Sequence, residues 1–238
     1  MQNRPKFSIS MATCERAYII PKTIETVINQ FYTNWELLIV DDGSKDNTKE
    51  VVESFNDERI KYIKIPIRGE RYRAFQKGID EATGDWVTIM GSDNFLSPFY
   101  LYYFKEYIKK FPEYNLFHCG AIELDRMGNR VRPPFGFKET EEGFEHFDSG
   151  RIGGGEFIWK KELMTEDIRL PDTSSPWEAA TLANIPGYGN KIKPLGDPFG
   201  EDFWLFYKMT RKNKSKVVPA HLSFVWHDIE GWFKELNI

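Results

Sequence analysis

Cysteine is scarce: the 238 residues hold two, Cys14 and Cys119. They cannot form a disulfide framework, so a reducing, cytoplasmic setting is expected. Long hydrophobic runs are also missing. No stretch of about 18 apolar residues occurs, so no membrane-spanning helix is expected. Met1–Lys6 is polar where a signal peptide would begin its apolar stretch. Basic charge is not in excess: Lys+Arg is 32 against Asp+Glu 36, a formal net charge of −4. General nucleic-acid binding is therefore not expected. No internal repeat or low-complexity tract is visible. Aromatic residues are thin in one half only. They make up 16% of the chain, but 10 fall in residues 1–94 and 27 in residues 95–238.

The first half alternates strand-like and helix-like segments. Phe7–Met11 reads as a strand, and Ile20, Ile24, Val27, Ile28 and Phe31 give a helical spacing over Ile19–Gln30. Glu36–Val40 is a continuous apolar run of the kind buried on both faces of a sheet. Asp46–Phe55 reads as a helix, Arg59–Ile65 as a strand, Tyr72–Ala82 as a helix and Trp86–Met90 as a strand. Strands alternating with helices imply crossover units on a parallel sheet. After Pro98 the pattern loosens. Pro98–Phe111 reads as a helix, Leu116–Cys119 and Glu156–Trp159 as strands, Lys161–Met164 as a short helix and Glu201–Thr210 as a helix. Residues 128–156 read as loop with short strands. Arg211–Lys216 reads as a solvated helix end, with contact to anionic lipid or an acidic acceptor as the alternative. No linker divides the chain, so one mixed α/β domain over 1–238 is expected.

In an open parallel sheet, ligands bind beyond the carboxyl ends of the strands. Polar clusters follow three expected strands: Thr13-Cys14-Glu15-Arg16, Asp41-Asp42-Gly43-Ser44 and Gly91-Ser92-Asp93-Asn94. No Gly-x-Gly-x-x-Gly turn follows the first strand, which argues against an NAD or FAD site. Asp41-Asp42 can accept hydrogen bonds from a ribose or a base, or can serve as a helix cap with a Gly turn. Asp93 can offer hard oxygen to a divalent cation, or can be a turn residue.

The stretch Asn34-Trp35-Glu36-Leu37-Leu38-Ile39-Val40-Asp41-Asp42-Gly43-Ser44-Lys45-Asp46-Asn47-Thr48 resembles the nucleotide-binding segment of family 2 glycosyltransferases of the GT-A fold. Ala12–Arg16 sits where that family usually has Pro-Thr-Tyr-Asn-Arg, and Gly78–Trp86 resembles its Gly-Ile-x-x-Ala-x-Gly-x-aromatic segment. Gly91–Asn94 occupies the place of its Asp-x-Asp motif, and Gly200–Leu205 resembles its Glu-Asp segment. The resemblance implies a GT-A type, Rossmann-like, mostly parallel sheet. Residues 1–98 would form the nucleotide-sugar donor half and 99–238 the acceptor half. It implies an inverting transferase of polysaccharide biosynthesis that uses a nucleotide sugar, UDP-linked by frequency in the family, and a glycan or other hydroxyl acceptor. Thr13, Glu15, Asp41, Asp42, Arg71, Arg73, Ser92 and Asp93 would line the donor site. Asp93 would hold Mn²⁺ or Mg²⁺, with His227 as a candidate second ligand, and Asp202 would be the general base, with Glu201 as rival.

The chain departs from the family pattern in places. Ser92 stands where many members carry an acid, and Phe75 and Gln76 stand where Arg and Asn are common. A non-catalytic nucleotide-sugar or glycan binder of the same fold is the alternative. Glu201-Asp202 also fits the first turn of a helix, where acidic residues suit the dipole. Trp177, Tyr188, Phe199, Trp204, Trp226 and Trp232 are candidates for stacking on sugar faces. Trp232-Phe233 is a candidate for peripheral membrane contact.

Overall fold

The computed structural model describes residues 4–66, 71–125, 127–131, 136–140, 143–147, 155–170, 205, 208–210 and 212–226. Arg71, residues 136–140 and 143–147, and Trp226 are described by their backbone alone. The expected alternation is present in β1 (Phe7–Thr13), α1 (Ile20–Ile28), β2 (Trp35–Asp42), α2 (Thr48–Glu53), β3 (Ile60–Ile65), α3 (Arg71–Glu81) and β4 (Trp86–Gly91). The four strands are parallel neighbours in the order β3-β2-β1-β4. Every residue of β2 is buried, which explains its unbroken Leu-Leu-Ile-Val run. Helix α1 buries Ile20, Ile24 and Val27 on one stripe and carries Pro21 in its first turn, where the missing N–H loses no helical bond. Helix α2 is shorter than its sequence pattern. Asp46 Oδ1 accepts the Thr48 N–H at 3.1 Å and its hydroxyl at 2.5 Å, which holds Asp46 in a turn ahead of the helix.

The second half supplies β5 (Asn94–Leu96), α4 (Tyr100–Lys110), β6 (Leu116–Leu124), the hairpin β7 (Gly136–Thr140) and β8 (Gly143–Phe147), β9 (Phe157–Lys160), a 3-10 turn at Lys161–Leu163, and β10 (Ser215–Trp226). One eight-stranded sheet results, ordered β3-β2-β1-β4-β9-β6-β10-β5. β9 runs antiparallel to β4 and β6, β6 and β10 are parallel, and β5 is antiparallel to β10. The sequence pattern announces neither β5 nor β10. The expected helix end at Arg211–Lys216 is corrected: helix is present at Lys208–Thr210, but Ser215 and Lys216 already belong to β10. The pairing of β10 with β6 shifts register between Val217 and His221 and again before Ser223. Pro219 lies in that stretch and has no N–H to give to a ladder, so the strand bulges there.

Helices cover both faces of the sheet. Ile24, Val27, Leu101 and Phe104 pack with Phe7 and Phe117 on one side. Phe75, Ile79, Ile168 and Leu170 pack with Leu38 and Trp159 on the other. Among the described residues, no helix is long and apolar enough to cross a membrane.

Glu36 is a buried charged residue in this interior. Its buried carboxylate accepts the Ser8 hydroxyl at 2.6 Å, the Thr83 N–H at 2.6 Å and the Thr83 hydroxyl at 2.9 Å. It also pairs with Lys6 at 3.2 Å and Lys61 at 3.0 Å. Burial by itself would raise its pKa. The bonds from Ser8, Thr83 and Lys61 outweigh burial and hold the group at about 2, below the usual 4.5. Glu36 thus clamps β1, β3 and the turn before β4 at the amino ends of the strands.

A depressed carboxyl pKa contributes stability that is complete above about 4.5 and is lost as pH falls through about 2. The shift corresponds to on the order of 3 kcal/mol. We expect Glu36→Gln to lower the urea-unfolding free energy by about 2–3 kcal/mol at neutral pH. The wild type and the variant should converge as the pH approaches 2; parallel acid limbs would show that Glu36 is not the clamp.

Candidate functional site

The carboxyl ends of β1, β2 and β4 are level, because Thr13 pairs with Asp41 and Ala12 pairs with both Val40 and Gly91. The three polar clusters that follow these strands therefore meet on one rim of the sheet. Thr13 closes β1. It is 4% exposed, and its Oγ1 has no hydrogen-bond partner among the described residues. A buried hydroxyl in that condition is a ready contact for a ligand polar group.

Asp41 and Asp42 close β2 and point to opposite faces, as successive strand residues do. Asp41 is fully buried and both of its oxygens are engaged. Oδ1 accepts the Ser44 N–H at 2.8 Å, and Oδ2 accepts the hydroxyl of Tyr62 on β3. Burial, reinforced by the Asp41 charge, pushes the Tyr62 hydroxyl far above its usual range. Asp42 is 4% exposed. Gly43 follows at φ 75°, a left-handed turn that glycine enters without penalty.

The loops after β1 and β2 are laced together. Glu15 sits at φ 53°, which is unusual for a residue with a side chain. Its N–H donates to Ser44 Oγ at 2.8 Å, while its carboxylate accepts the Lys45 N–H at 3.1 Å and the Asp46 N–H at 3.2 Å. In return, Asp46 Oδ2 accepts the Ala17 N–H at 3.1 Å. Burial raises the Asp46 pKa, but bonds from Thr48 and Ala17 bring it below its usual value.

Asp93 lies in the turn between β4 and β5 and forms an ion pair with Arg16. Gly91 leaves room for the side chains of this turn. A Cβ there would stand 2.5 Å from Asn94 Oδ1 and 2.6 Å from Asp93 Oδ1, so a larger residue would push these two side-chain ends away from the strand end. The preceding Ser92 is buried, and its carbonyl accepts the Thr23 hydroxyl of α1 at 2.7 Å.

Arg73 is half-buried in the first turn of α3, and Arg71 begins that helix. Phe75 and Gln76 belong to the packing of α3. Phe75 joins the core, and Gln76 accepts the Leu170 N–H at 2.8 Å and donates to Asp80 at 2.8 Å. Glu201, Asp202 and His227 lie outside the described residues, as do Trp177, Tyr188, Phe199, Trp204 and Trp232. Cys119 is buried, and burial pushes its thiol well above the usual range, so it is inert as a nucleophile.

Among the described residues, no group of three or more His, Cys, Asp or Glu side chains gathers as a metal cage. Asp93 offers one hard carboxylate at the rim. That fits Mg²⁺ or Mn²⁺ in the mode where one or two carboxylates share the ion with substrate phosphates and water. No site role was legible in the sequence for Asp46 or Tyr62, and Arg16 and Ser44 stood out only as members of the polar clusters after β1 and β2. The signal for Arg16 was its place beside Thr13; its partner Asp93 lies 77 positions away.

The glycosyl transferase family 2 model matches residues 8–160. The chain is 33% identical over 191 residues to the GalNAc(5)-diNAcBac-PP-undecaprenol beta-1,3-glucosyltransferase of Campylobacter jejuni, covering 76% of this chain and 60% of the relative. Its fold is similar to S. aureus TarS 1-349 in complex with UDP-GlcNAc, with a TM-score of 0.70 at 18% identity, covering 93% of this chain and 58% of that one. It is also similar to the mannosyltransferase PcManGT of Pyrobaculum calidifontis in complex with GDP-Man and Mn²⁺, with a TM-score of 0.60 at 15% identity, covering 98% and 60%. The chain thus spans no more than 60% of the length of any of these three proteins.

Asp41→Ala strands the Tyr62 hydroxyl and the Ser44 N–H in the interior and should cost about 2–4 kcal/mol in urea unfolding; an unchanged unfolding free energy would contradict the supporting role drawn for Asp41.

Proposed function

The chain belongs to glycosyl transferase family 2, and on that premise we propose that it moves a sugar from a nucleoside diphosphate sugar to an acceptor hydroxyl, with inversion. The observation that carries this reading is the convergence of Thr13, Asp42 and the Arg16–Asp93 pair on one rim. Thr13 and Asp42 accept or donate hydrogen bonds to the nucleoside. Asp41 acts behind them, holding the turn that aims Asp42, and Glu15 fixes the loop that carries Thr13 and Arg16. Arg16, Arg71 and Arg73 supply guanidinium groups for the diphosphate, whose negative charge grows as the sugar–phosphate bond breaks. Asp93 holds the divalent ion, and a bound Mg²⁺ or Mn²⁺ supplies further neutralisation of the leaving group.

The acceptor side completes the reaction. Asp202 takes the proton from the acceptor hydroxyl as its oxygen attacks the anomeric carbon in line with the departing phosphate, and Glu201 is the neighbouring carboxylate. His227 is a further metal ligand. The pairing of Val225 with Asn94 supports this role, because it brings β10 beside the Asp93 turn two residues before His227 in sequence. UDP is the favoured nucleotide, since a structural neighbour is described with UDP-GlcNAc. A lipid-linked glycan is the favoured acceptor, since a relative is named for an undecaprenol-linked one.

UDP at about 100 times its dissociation constant, with Mn²⁺, should stabilise the protein by about 2.7 kcal/mol. That should appear as a rise of several degrees in melting temperature. Asp42→Ala and Asp93→Ala should remove most of the rise. No rise with any nucleoside diphosphate would reject the donor site. Asp202→Asn should keep the UDP response and lose sugar transfer; transfer retained in that variant would move the base to Glu201. A nucleotide response with no turnover of any nucleotide sugar would make the chain a binding protein instead.

A further inference from the structure

Helix α4 buries Tyr100, Leu101 and Phe104. Its outer side carries aromatic rings beside charged residues. Phe99 and Tyr103 on that side are 48% and 41% exposed, and Phe31, just past α1, is 66% exposed. These rings touch one another. Phe31 lies 5.7 Å from Phe99 and 5.6 Å from Tyr102, and Tyr102 lies 5.9 Å from Tyr103, centroid to centroid. The patch is braced from behind. The Phe31 N–H donates to the Pro98 carbonyl at 2.8 Å. The Gln30 side chain donates to the Ser97 carbonyl at 2.7 Å and accepts the Leu101 N–H at 3.0 Å.

Lysines fringe the rings. Lys105 Nζ stands 5.2 Å from the Tyr102 centroid and Lys110 Nζ 5.3 Å from Phe111. Lys216 Nζ reaches in from β10, 4.4 Å from Phe111 and 5.5 Å from Tyr114. Lys109 is exposed beside them. The single acid on the helix, Glu106, is paired with Lys105. A local basic excess therefore sits on a chain whose net charge is −4.

We propose that this face docks on an anionic lipid bilayer. Phe31, Phe99, Tyr102 and Tyr103 enter the boundary between headgroups and acyl chains. Lys109, Lys110 and Lys216 meet lipid phosphates. The two residue types point to lipid together. Exposed aromatic rings with lysines around them suit the membrane interface, where rings partition and lysine stems reach back to the headgroups. Lysine is depleted from protein–protein interfaces, so the fringe counts against a protein partner.

The position also suits the proposed transferase. α1 runs from the donor rim, where Thr23 bonds Ser92, to the patch at Phe31. Its nine residues span about 13 Å, so a docked bilayer would lie one short helix away from the rim. The use of the face rests on the transferase reading; the docking itself does not.

Vesicle sedimentation of the full chain tests this. Vesicles of phosphatidylcholine and phosphatidylglycerol in equal parts should retain the protein, and phosphatidylcholine alone should retain much less. Salt at 1 M, where the screening length falls to about 3 Å, should release it. Phe31→Ser with Phe99→Ser, and separately Lys109→Ala with Lys110→Ala, should each lower partitioning roughly tenfold or more. Lys49→Ala on α2 should change nothing. All of these side chains are exposed, so circular dichroism and the UDP response should stay as in the wild type. Failure of the donor-site reading would appear separately, as vesicle binding with no UDP response. Absence of vesicle binding, indifference to phosphatidylglycerol, or unchanged binding by both double variants would overturn the proposal. A concentration-dependent dimer abolished by Phe31→Ser, with no vesicle binding, would assign the face to a second copy of the chain and overturn it equally.

Discussion

Carboxylates accepting backbone N–H groups hold the rim of this sheet in place. Glu15 caps two amides of the loop after β2, and Asp46 returns a bond to the loop after β1. Neither loop is regular, and Glu15 adopts a left-handed conformation that costs about 1–2 kcal/mol for a residue with a Cβ. Charge-assisted hydrogen bonds offset that strain. Without the lacing, the loop that carries Arg16 would have no fixed relation to the loop after Asp42.

The same chemistry recurs at the other end of the strands with a different result. Glu36 collects donors from β1, from the turn before β4 and from lysines on either side. There the polar cluster is closed and its charge is spent on the sheet itself. At the carboxyl ends, the Asp41 charge is spent in the same way, on Ser44 and Tyr62. One end of the parallel half is thus a clamp, and the other is a supported surface with polar groups to spare, such as the Thr13 hydroxyl.

Much of this was legible in the sequence, and the limits have physical causes. The alternation up to Trp86–Met90 announced the parallel strands because each carries several apolar residues, in a run as in β2 or spaced by polar ones as in β1 and β3. β5 has three residues and shows no period, and β10 hides behind Pro219 and its bulge. The three polar clusters at strand ends could be located by counting. The part Asp41 plays in the fold could not, because that depends on Tyr62 across the sheet. The Arg16–Asp93 pair joins loops far apart in the chain, and no local pattern marks it. Phe75 and Gln76 looked like departures in a binding segment; their buried environment identifies them as packing of α3 against the segment at Leu170.

The shortness of β5 has a consequence for what lengths the chain can tolerate. Asn94, Phe95 and Leu96 pair one to one with Val225, Phe224 and Ser223. One residue added between Gly91 and Asn94 must be absorbed within a turn already closed by the Gly91–Asn94 bond, or it slips this ladder by one place. A slip would send Phe95 to the opposite face of the sheet and move Leu96 out of the core. The Asp93 turn is gauged on both sides, by β4 before it and by a strand from a distant part of the sequence after it.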